Sequence, residues 1–339
     1  MNKADVCIIG GGFCGQLSAF LLAKAGYSVF LCEAEKKVGG KCRVDHPEGC
    51  TVEFGVHFNL LTSSQIRELG IETEWCKMHE SPPLYFQKKE WLPVTLDPLT
   101  EDQKFFHLSE FSFPKGGMET LFNLFLSHPN IQLLTGQPIL ELVSNASFVQ
   151  KVQSHDKEWK AKAFLMALPF SSLVHLVKEN EVERNFLRSL KKQKYVSAIK
   201  LDYVLKKKVC DFKSILFDIE ANGVGFFPSN IDEKIAVNGK QVSQWLFFLS
   251  EEELSDKEEI AKRIRVGKRF LKKAFPNFFD TLLWERIGII PELFPKNSDR
   301  LILEQKWTSL QNLFWVGDHP LENLVRKVGQ VTQLLKTSV

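Results

Sequence analysis

The apolar pattern of the first 34 residues changes from strand-like to helix-like and back again. Residues 6–9 are a short apolar run, Val-Cys-Ile-Ile, with the length and β-branched content of a buried strand. An amphipathic helix is predicted to follow, and Gly26 stands where that helix would end. Residues 28–32 form a second run that reads as a strand. The chain therefore opens with a predicted strand, helix and strand.

Three glycines join the first strand to the helix with the spacing G-x-G-x-x-G: Gly10, Gly12 and Gly15. At such a junction the first glycine allows a tight turn, the second lets the backbone approach a pyrophosphate, and the third lets the helix lie close to the strand. The N-terminus of the helix supplies free N–H groups to the phosphates. Glu33 ends the second strand, where a carboxylate accepts ribose hydroxyls. These features together predict a dinucleotide site.

The residues after Glu33 narrow the choice of dinucleotide. The segment E-A-E-K-K-V-G-G-K, residues 33–41, resembles the extended fingerprint of the superfamily of FAD-dependent amine oxidases, protoporphyrinogen oxidases and phytoene desaturases. The resemblance implies FAD, with the backbone of Gly39 and Gly40 close to the cofactor. Lys41 stands where arginine is usual, so an ammonium group replaces a guanidinium group that could contact the pyrophosphate in a bidentate way. Arg43 is the second candidate for this pyrophosphate contact.

Three later segments resemble the same superfamily in the same order. Residues 113–121, F-P-K-G-G-M-E-T-L, are similar to the signature P-x-G-G-M-x-x-L. Residues 163–169, A-F-L-M-A-L-P, are similar to the strand that returns the chain to the nucleotide domain. Residues 312–318, N-L-F-W-V-G-D, are similar to L-F-x-A-G-D, whose aspartate in relatives contacts the ribityl or phosphate region of FAD. The four matches span residues 4–318.

The resemblance implies an α/β fold with a Rossmann-like FAD-binding domain of the GR2 (glutathione reductase 2) flavoprotein type. A smaller α+β substrate domain would be interleaved with it along the chain. The FAD-binding domain is predicted over residues 1–65, 110–170 and 285–339, and the substrate domain over 66–109 and 171–284. Within the latter, residues 196–204 are predicted as a strand and residues 256–274 as a helix.

The predicted helix has an apolar stripe and a basic face. Ser255 and Glu258 have the spacing of a capping box at its start. The stripe consists of Ile260, Ile264, Leu271 and Phe275, and the basic face of Lys262, Arg263, Arg265, Lys268, Arg269, Lys272 and Lys273. A solvated surface is the commoner explanation of such a face, and peripheral contact with an anionic membrane is the alternative.

Composition limits the function. A chain of 339 residues with 44% hydrophobic residues can bury two domain cores, and a net charge of +3 gives no reason to expect a nucleic acid partner. The sequence shows no leader and no apolar run near the ~20 residues of a membrane span, so a cytoplasmic location is expected. The seven cysteines follow no metal or disulfide spacing, and no metal is expected. None follows Cys210, which excludes a C-terminal covalent flavin link and predicts noncovalent FAD.

The chain contains one dinucleotide fingerprint, so no NAD(P)H site is expected beside the FAD. Electrons would come from an organic substrate and leave to oxygen or another acceptor. We expect an oxidoreductase similar to protoporphyrinogen oxidases or desaturases. It would transfer a hydride from a hydrophobic or cyclic small molecule to flavin N5. Amine oxidation is the enzymatic alternative, although no tyrosine follows Tyr203 to complete an aromatic cage. The alternative from another class is a flavoprotein that binds FAD without oxidative turnover, either as a scaffold or as a non-redox enzyme that resembles UDP-galactopyranose mutase.

Two residues are catalytic candidates. Lys200 resembles the amine-oxidase lysine that holds a water at flavin N5. Its alternation with apolar neighbours also fits an outward-facing, solvated lysine, and the rarity of buried charges favours that interpretation. His57 lies in a G-x-H element that relatives carry beside the isoalloxazine, and a histidine satisfied by backbone hydrogen bonds is the alternative.

The candidate cofactor-binding residues come from the four matching segments and their neighbours. They are Gly10, Gly12, Phe13, Cys14, Gly15, Glu33, Ala34, Gly40, Lys41, Arg43, Gly55, Val56, Pro138, Ala167, Gly317 and Asp318. The chain departs from the superfamily after Asp318, where small residues are usual. Pro320 still suits a helix start, but Glu322 has the wrong sign to stabilise negative charge on reduced flavin.

Overall fold

The structure of the protein is a computed structural model that describes residues 3–55, 63–77, 81–108, 112–145, 147–173, 175–296, 307–317 and 321–337. The chain divides into two compact units. Unit 1 comprises Met1–Arg43, Leu121–Lys194 and Pro295–Val339, and unit 2 comprises Val44–Thr120 and Tyr195–Phe294. Both units are therefore assembled from separated stretches of sequence.

Strands and helices are numbered along the described part of the chain. The strands are β1 (Lys3–Ile9), β2 (Val29–Cys32), β3 (Val44–Asp45), β4 (Val52–Glu53), β5 (Trp75–Lys77), β6 (Leu84–Gln87), β7 (Glu90–Pro93), β8 (Ser112–Pro114), β9 (Ile131–Leu134), β10 (Glu141–Ser144), β11 (Val149–Gln153), β12 (Glu158–Met166), β13 (Tyr195–Leu205), β14 (Leu216–Asp218), β15 (Gly223–Phe226), β16 (Gln241–Leu249), β17 (Leu282–Pro295) and β18 (Leu313–Trp315). The helices are α1 (Phe13–Lys24), α2 (Ser63–Glu68), α3 (Glu101–Leu108), α4 (Met118–Leu126), α5 (Phe170–Leu173), α6 (Arg184–Lys191), α7 (Pro228–Ile231), α8 (Glu251–Ser255), α9 (Lys257–Ala274) and α10 (Leu321–Thr337). Of the helices described, none has the length and apolar character needed to cross a membrane.

Unit 1 is built on a sheet whose central strands run parallel. In the described residues the strand order is β10, β11, β12, β1, β2, β9, and β18 pairs with the end of β12. Strands β1, β2, β9, β12 and β18 are parallel to their neighbours in this sheet, except where β12 pairs antiparallel with β11. The carboxyl ends of five strands therefore meet along one edge, the usual place for a ligand in such sheets.

Helix α1 covers this sheet closely. Its apolar residues Leu17, Leu22 and Ala23 are buried, and α10 packs beside it. The Tyr27 hydroxyl, just after α1, donates to the Thr332 carbonyl of α10 at 3.4 Å. The first and last segments of the described chain are thus joined on one side of the sheet.

Unit 2 contains a second seven-stranded sheet within the described residues, and this sheet is mainly antiparallel. Its strand order within the described residues is β17, β13, β16, β15, β14, β6, β7. Strands β13 and β16 lie in its interior and are buried almost throughout. Alternate residues of β13 enter two apolar clusters: Val196 and Ala198 pack in one, and Ile199 and Leu201 pack in the other. This period of two shows that β13 is covered on both faces.

Several predicted elements are confirmed. The predicted strand over 196–204 is β13, the predicted helix over 256–274 is α9, and the opening strand, helix and strand are β1, α1 and β2. Helix α1 is not amphipathic as predicted, because its apolar residues are distributed around the helix. The capping box is wrong. Asp256 caps α9 by accepting from the N–H groups of Glu258 and Glu259, while Ser255 lies in α8 and donates to the Glu252 carbonyl.

The compact units and the predicted domains both alternate along the chain. The units follow contacts within the chain. They assign residues 44–65, 110–120 and 285–294 to unit 2 and residues 171–194 to unit 1. The predicted domains were defined by cofactor and substrate roles, so the division into an FAD-binding and a substrate domain stays a prediction.

One buried carboxyl of unit 2 generates a prediction about stability. Asp218 ends β14 at 3% exposure, and its Oδ1 accepts from the Ala221 N–H at 3.2 Å. Oδ2 has no hydrogen-bond partner among the described residues. Burial raises the pKa of Asp218 to about 6.

Because the folded pKa is raised, the folded state binds the proton more tightly than the unfolded chain does. The protonated Asp218 carboxyl therefore contributes stability to the fold. This contribution is complete below the pKa of Asp218 in the unfolded chain, and it is lost as the pH rises through the folded-state pKa of about 6. Asp218→Asn should therefore gain stability over the wild type, by up to ~3 kcal/mol, between about pH 3.5 and pH 7. Urea unfolding across this range measures the difference. Asp280→Asn, at an exposed site, is the control; parallel pH curves for wild type and Asp218→Asn would contradict the prediction.

Candidate functional site

The junction of β1 and α1 in unit 1 is formed by two glycines that the fold itself requires. Gly10 has a φ of +107°, and an added Cβ there would lie 2.5 Å from the Ala167 carbonyl oxygen. An added Cβ at Gly15 would lie 1.9 Å from the Gly10 carbonyl oxygen. Side chains at these positions would push the helix from the strand, as the sequence predicts.

Gly12 is different, because no described residue explains its missing side chain. Its φ is −71°, which any residue adopts. An added Cβ would meet nothing nearer than the Gly40 Cα, at 4.0 Å. Gly12 is also the N-cap of α1, where no side chain caps the helix. The open space and the helix N-terminus form a cradle that fits a diphosphate.

A second glycine pair lies against this cradle. The Gly39 N–H donates to the Gly11 carbonyl at 2.9 Å, and Gly39 pairs with Gly12 in a parallel bridge. Gly40 has a φ of +52°, and an added Cβ there would lie 3.3 Å from the Gly12 Cα. The backbones of the two loops therefore approach each other closely.

The two candidate cations follow in the same segment. Lys41 lies in the 3₁₀ turn Gly40–Cys42, and Arg43 comes directly after it. Both side chains are half-buried. The contact with pyrophosphate stays a prediction for both residues.

Glu33 is held beside the cradle at the end of β2. Its Oε2 accepts from the Gly11 N–H at 2.7 Å, and its Oε1 accepts from the Glu35 N–H at 2.9 Å. Each carboxylate oxygen can accept a further hydrogen bond, so the group can still receive ribose hydroxyls. Pro138 lies near Glu33, because the N–H of the preceding residue, Gln137, donates to the Glu33 carbonyl at 2.9 Å.

Sequence reasoning missed Gln16. This fully buried side chain donates from Nε2 to the Gly11 carbonyl at 2.8 Å and so fixes the loop from the opposite side to Glu33. The position of Gln16 in the first turn of α1 was the one available signal. Nothing in the sequence indicated that its side chain reaches the Gly11 carbonyl.

The remaining strands of the parallel sheet bring two more candidates to the same edge. Ala167 follows β12, and its N–H donates to the Ile9 carbonyl of β1 at 2.8 Å. Gly317 follows β18, and an added Cβ there would lie 1.7 Å from the Leu168 carbonyl oxygen. Three other candidates are placed by their elements: Phe13 and Cys14 begin α1, and Ala34 is exposed after Glu33. Unit 1 thus gathers most of the predicted cofactor residues.

Lys200 lies in unit 2 and is buried. Only 1% of the residue is exposed, so the outward-facing, solvated interpretation is wrong. Its Nζ lies 3.2 Å from Oδ1 of the fully buried Asp202. Burial lowers the pKa of Lys200, and the Asp202 carboxylate opposes that shift.

The Lys200–Asp202 pair belongs to a larger buried network that sequence reasoning missed. Arg286 donates from Nε to Asp202 at 2.9 Å and from Nη1 to Asp45 at 2.7 Å. Gln244 donates to Asp202 at 2.8 Å. A buried charge is costly unless it is paired, and here Asp202 is paired with two cations and an amide.

Asp202 is the one polar partner of the Lys200 Nζ in the described part of the chain. An ammonium has three N–H donors, so two remain for groups such as water. The period of two in β13 was the available signal, because it places Asp202 on the same face as Lys200. Nothing in the sequence pointed to Arg286.

The neighbouring candidates are described in part. Gly55 is buried and follows Phe54, whose ring centroid lies 5.1 Å from the Arg286 guanidinium carbon. Val56, His57 and Asp318 lie outside the described residues. Their predicted contacts with FAD therefore stay predictions.

In unit 2, the segment 113–121 turns at Gly116 and Gly117, between β8 and α4. The Gly116 N–H donates to Asp232 at 2.6 Å, and the Met118 N–H donates to Glu53 at 2.7 Å. Two carboxylates therefore fix the turn between β8 and α4.

Comparisons with known proteins agree with this geometry. A model of NAD(P)-binding Rossmann-like domains matches residues 8–69. An uncharacterised protein of Methanothermococcus thermolithotrophicus is 46% identical over 52 residues, 15% of this chain and 50% of that protein. All-trans-retinol 13,14-reductase of Macaca fascicularis is 41% identical over 57 residues, and the match covers 17% of this chain and 9% of the reductase. Flavin-containing amine oxidase B of Mus musculus is 36% identical over 77 residues, or 21% and 15% of the two chains. The matches thus cover half or less of these relatives.

Solved structures match nearly the whole chain. An oxidoreductase from Methanosarcina mazei has a TM-score of 0.75 at 14% identity, covering 98% of this chain and 100% of that one. A putative protoporphyrinogen oxidase from Exiguobacterium has a TM-score of 0.67 at 12% identity, covering 99% of each chain. The predicted α/β fold with a Rossmann-like domain is confirmed, and so is the resemblance to amine oxidases and protoporphyrinogen oxidases.

The different reasons for the glycines of unit 1 can be tested with alanine. Gly15→Ala should lower the free energy of unfolding by about 3 kcal/mol or more, because its Cβ would displace backbone. Gly12→Ala should stay within about 1 kcal/mol of the wild type, because its Cβ meets open space. Urea denaturation of the wild type and both variants, each stripped of bound small molecules, gives the comparison. Equal losses would contradict our account of Gly12.

Proposed function

We propose that the protein is an FAD-dependent oxidoreductase that acts on a hydrophobic or cyclic organic substrate. The observation that carries the proposal is the cradle at Gly12, which lies at the carboxyl edge of the parallel sheet beside a preset Glu33 carboxylate. The cradle has no function in packing the described chain. A dinucleotide needs a close backbone approach, helix N–H groups and a ribose acceptor, and all three occur here together.

The residues of unit 1 have distinct tasks in this proposal. The first turn of α1 donates to the FAD diphosphate across Gly12. Glu33 accepts the adenosine ribose hydroxyls with the lone pairs that Gly11 and Glu35 leave open. Gln16 and Glu33 hold the loop before the cofactor arrives, so little conformational entropy is lost on binding. Asp318 is proposed to contact the ribityl or phosphate region.

FAD, when bound, supplies the redox step by accepting a hydride from the substrate at N5. Lys200 is proposed to hold a water there with the donors that Asp202 leaves free. The names of the relatives support an oxidative or reductive reaction on organic molecules, and the retinol reductase favours an apolar substrate. Amine oxidase B supports the enzymatic alternative. The cytoplasmic location belongs to the same proposal.

The FAD assignment is tested by what the purified protein carries. Wild-type protein should contain noncovalent FAD, released completely by acid and identified by its visible spectrum and mass. Gly12→Val should purify without FAD, because its side chain fills the space that the diphosphate needs. Its urea midpoint should stay close to that of wild-type apoprotein, because bound FAD itself stabilises the folded state. This comparison separates loss of FAD from loss of fold.

Gly329→Val is the matched control. An added Cβ at Gly329 meets nothing within 4 Å, and the residue lies in the middle of α10. This variant should load FAD normally. Normal FAD content in Gly12→Val would overturn the assignment, and FAD that no organic substrate bleaches would favour a flavoprotein without oxidative turnover.

Lys200 is tested by Lys200→Met, which keeps the apolar stem and removes the donors. Asp202 should remain paired with Arg286 and Gln244, so the variant should fold. Reoxidation of photoreduced flavin by oxygen should slow on the order of tenfold, while the Kd for FAD stays within a factor of a few. Stopped-flow mixing with oxygenated buffer measures the rate.

The control is Lys77→Met, at an exposed lysine of β5. It should leave both the reoxidation rate and the Kd for FAD unchanged. If Lys200→Met reoxidises as fast as the wild type, Lys200 has no role at the flavin and is a structural partner of Asp202 alone.

A further inference from the structure

The exposed side of α9 in unit 2 lines a cavity of about 470 Å³. Four cations, Arg265, Lys268, Arg269 and Lys272, contribute to its wall. They are spaced three and four residues apart, so they form a single stripe along the helix. The four cations therefore lie together on one side of α9.

Most of this positive charge has no counter-charge. The one acidic residue that lines the cavity is Glu285, whose Oε2 lies 2.8 Å from the Lys268 Nζ. Arg265, Arg269 and Lys272 are exposed, and in the described part of the chain they have no acidic partner. Two other cations of the same helix are paired, Lys262 with Glu259 and Arg263 with Glu253. Lys273 lies over the Phe86 ring, 5.8 Å from its centroid, and does not line the cavity. Three cations of α9 without an acidic partner therefore stand together at the cavity.

Helix stability does not explain this arrangement. Cations interact favourably with the helix dipole only in the last turn, which accounts for Lys272 but not for Arg265. Like charges at three- and four-residue spacing repel each other along the helix. An anion in the cavity would remove that repulsion.

The rest of the wall suits a ligand with a small apolar part. Phe279 and Leu282, both half-buried, line the cavity beside the cations. These two side chains offer a small apolar surface on which such a part could pack. Three exposed apolar side chains also lie on β17: Leu283, Ile287 and Ile289. They share the face of Glu285, because side chains two residues apart on a strand point the same way.

We propose that this cavity binds a phosphate-bearing ligand. Arg265 and Arg269 would hold the phosphoryl oxygens with paired N–H donors, Lys268 and Lys272 would add charge, and Phe279 would contact the apolar part. The ligand is either a soluble phosphate ester or the head group of an anionic lipid, whose bilayer would also cover the exposed apolar side chains of β17. The site goes beyond the proposed oxidoreductase function and uses none of its residues.

The test uses the full-length protein and two probes. Binding of inorganic pyrophosphate is measured by isothermal titration calorimetry at low salt. Binding of phosphatidylglycerol vesicles, compared with pure phosphatidylcholine vesicles, is measured by sedimentation. The triple variant Arg265→Gln/Arg269→Gln/Lys272→Gln should weaken binding at least about tenfold, because it removes three charged contacts. The three residues are exposed, so the variant should melt like the wild type.

Two further variants make the test specific. Lys88→Gln/Lys234→Gln/Lys257→Gln removes the same charge at exposed sites outside the cavity and should bind as the wild type does. Glu285→Gln removes the competing carboxylate and frees Lys268, so it should tighten binding severalfold. A loss of structure alone would not give this opposite sign.

The outcomes distinguish the two sources of phosphate. Pyrophosphate binding that depends on the three cations supports a soluble ligand. Binding to phosphatidylglycerol vesicles alone, with the same dependence, supports a lipid head group. Absence of binding to both probes, or equal weakening by the two triple variants, would overturn the proposal.

Discussion

The contact between the backbones of β1 and α1 is the constraint on which unit 1 depends. An added Cβ at Gly15 would lie 1.9 Å from the Gly10 carbonyl oxygen, so this approach is possible only without a side chain. It brings the start of α1 to the carboxyl edge of the sheet. There Gln16 and Glu33 hold the Gly11 peptide from two sides. Packing therefore creates the loop, and hydrogen bonds then fix its shape.

Unit 2 meets a different constraint, since its main sheet buries charges. Lys200, Asp202 and Arg286 lie on the face of β13 and β17 where apolar side chains would otherwise be expected. Replacing such a group by a hydrophobic residue is often neutral or stabilising, so the network is weak evidence for stability. The same sheet also buries uncharged polar residues, among them Gln241, Ser243 and Gln244.

The sequence predicted what depends on neighbours along the chain. The glycine spacing and Glu33 at the strand end were correct, because strand, turn and helix are contiguous there. The pairing of Arg286 with Asp202 joins residues 84 positions apart and left no local signal. The capping box failed for another reason. The pattern Ser-x-x-Glu occurs twice in succession, and the structure forms the box at Ser250 and not at Ser255.

The two hydrogen bonds that Glu33 accepts have a consequence for selectivity among nucleotides. A carboxylate fixed by Gly11 and Glu35 could not turn away from a ribose bound beside it without breaking both bonds. A nucleotide with a phosphate at the ribose 2′ position would bring a second negative charge against it, in a half-buried place with little screening. With the ribose contact proposed for Glu33, the loop would therefore disfavour 2′-phosphorylated dinucleotides even when their diphosphate fits the cradle.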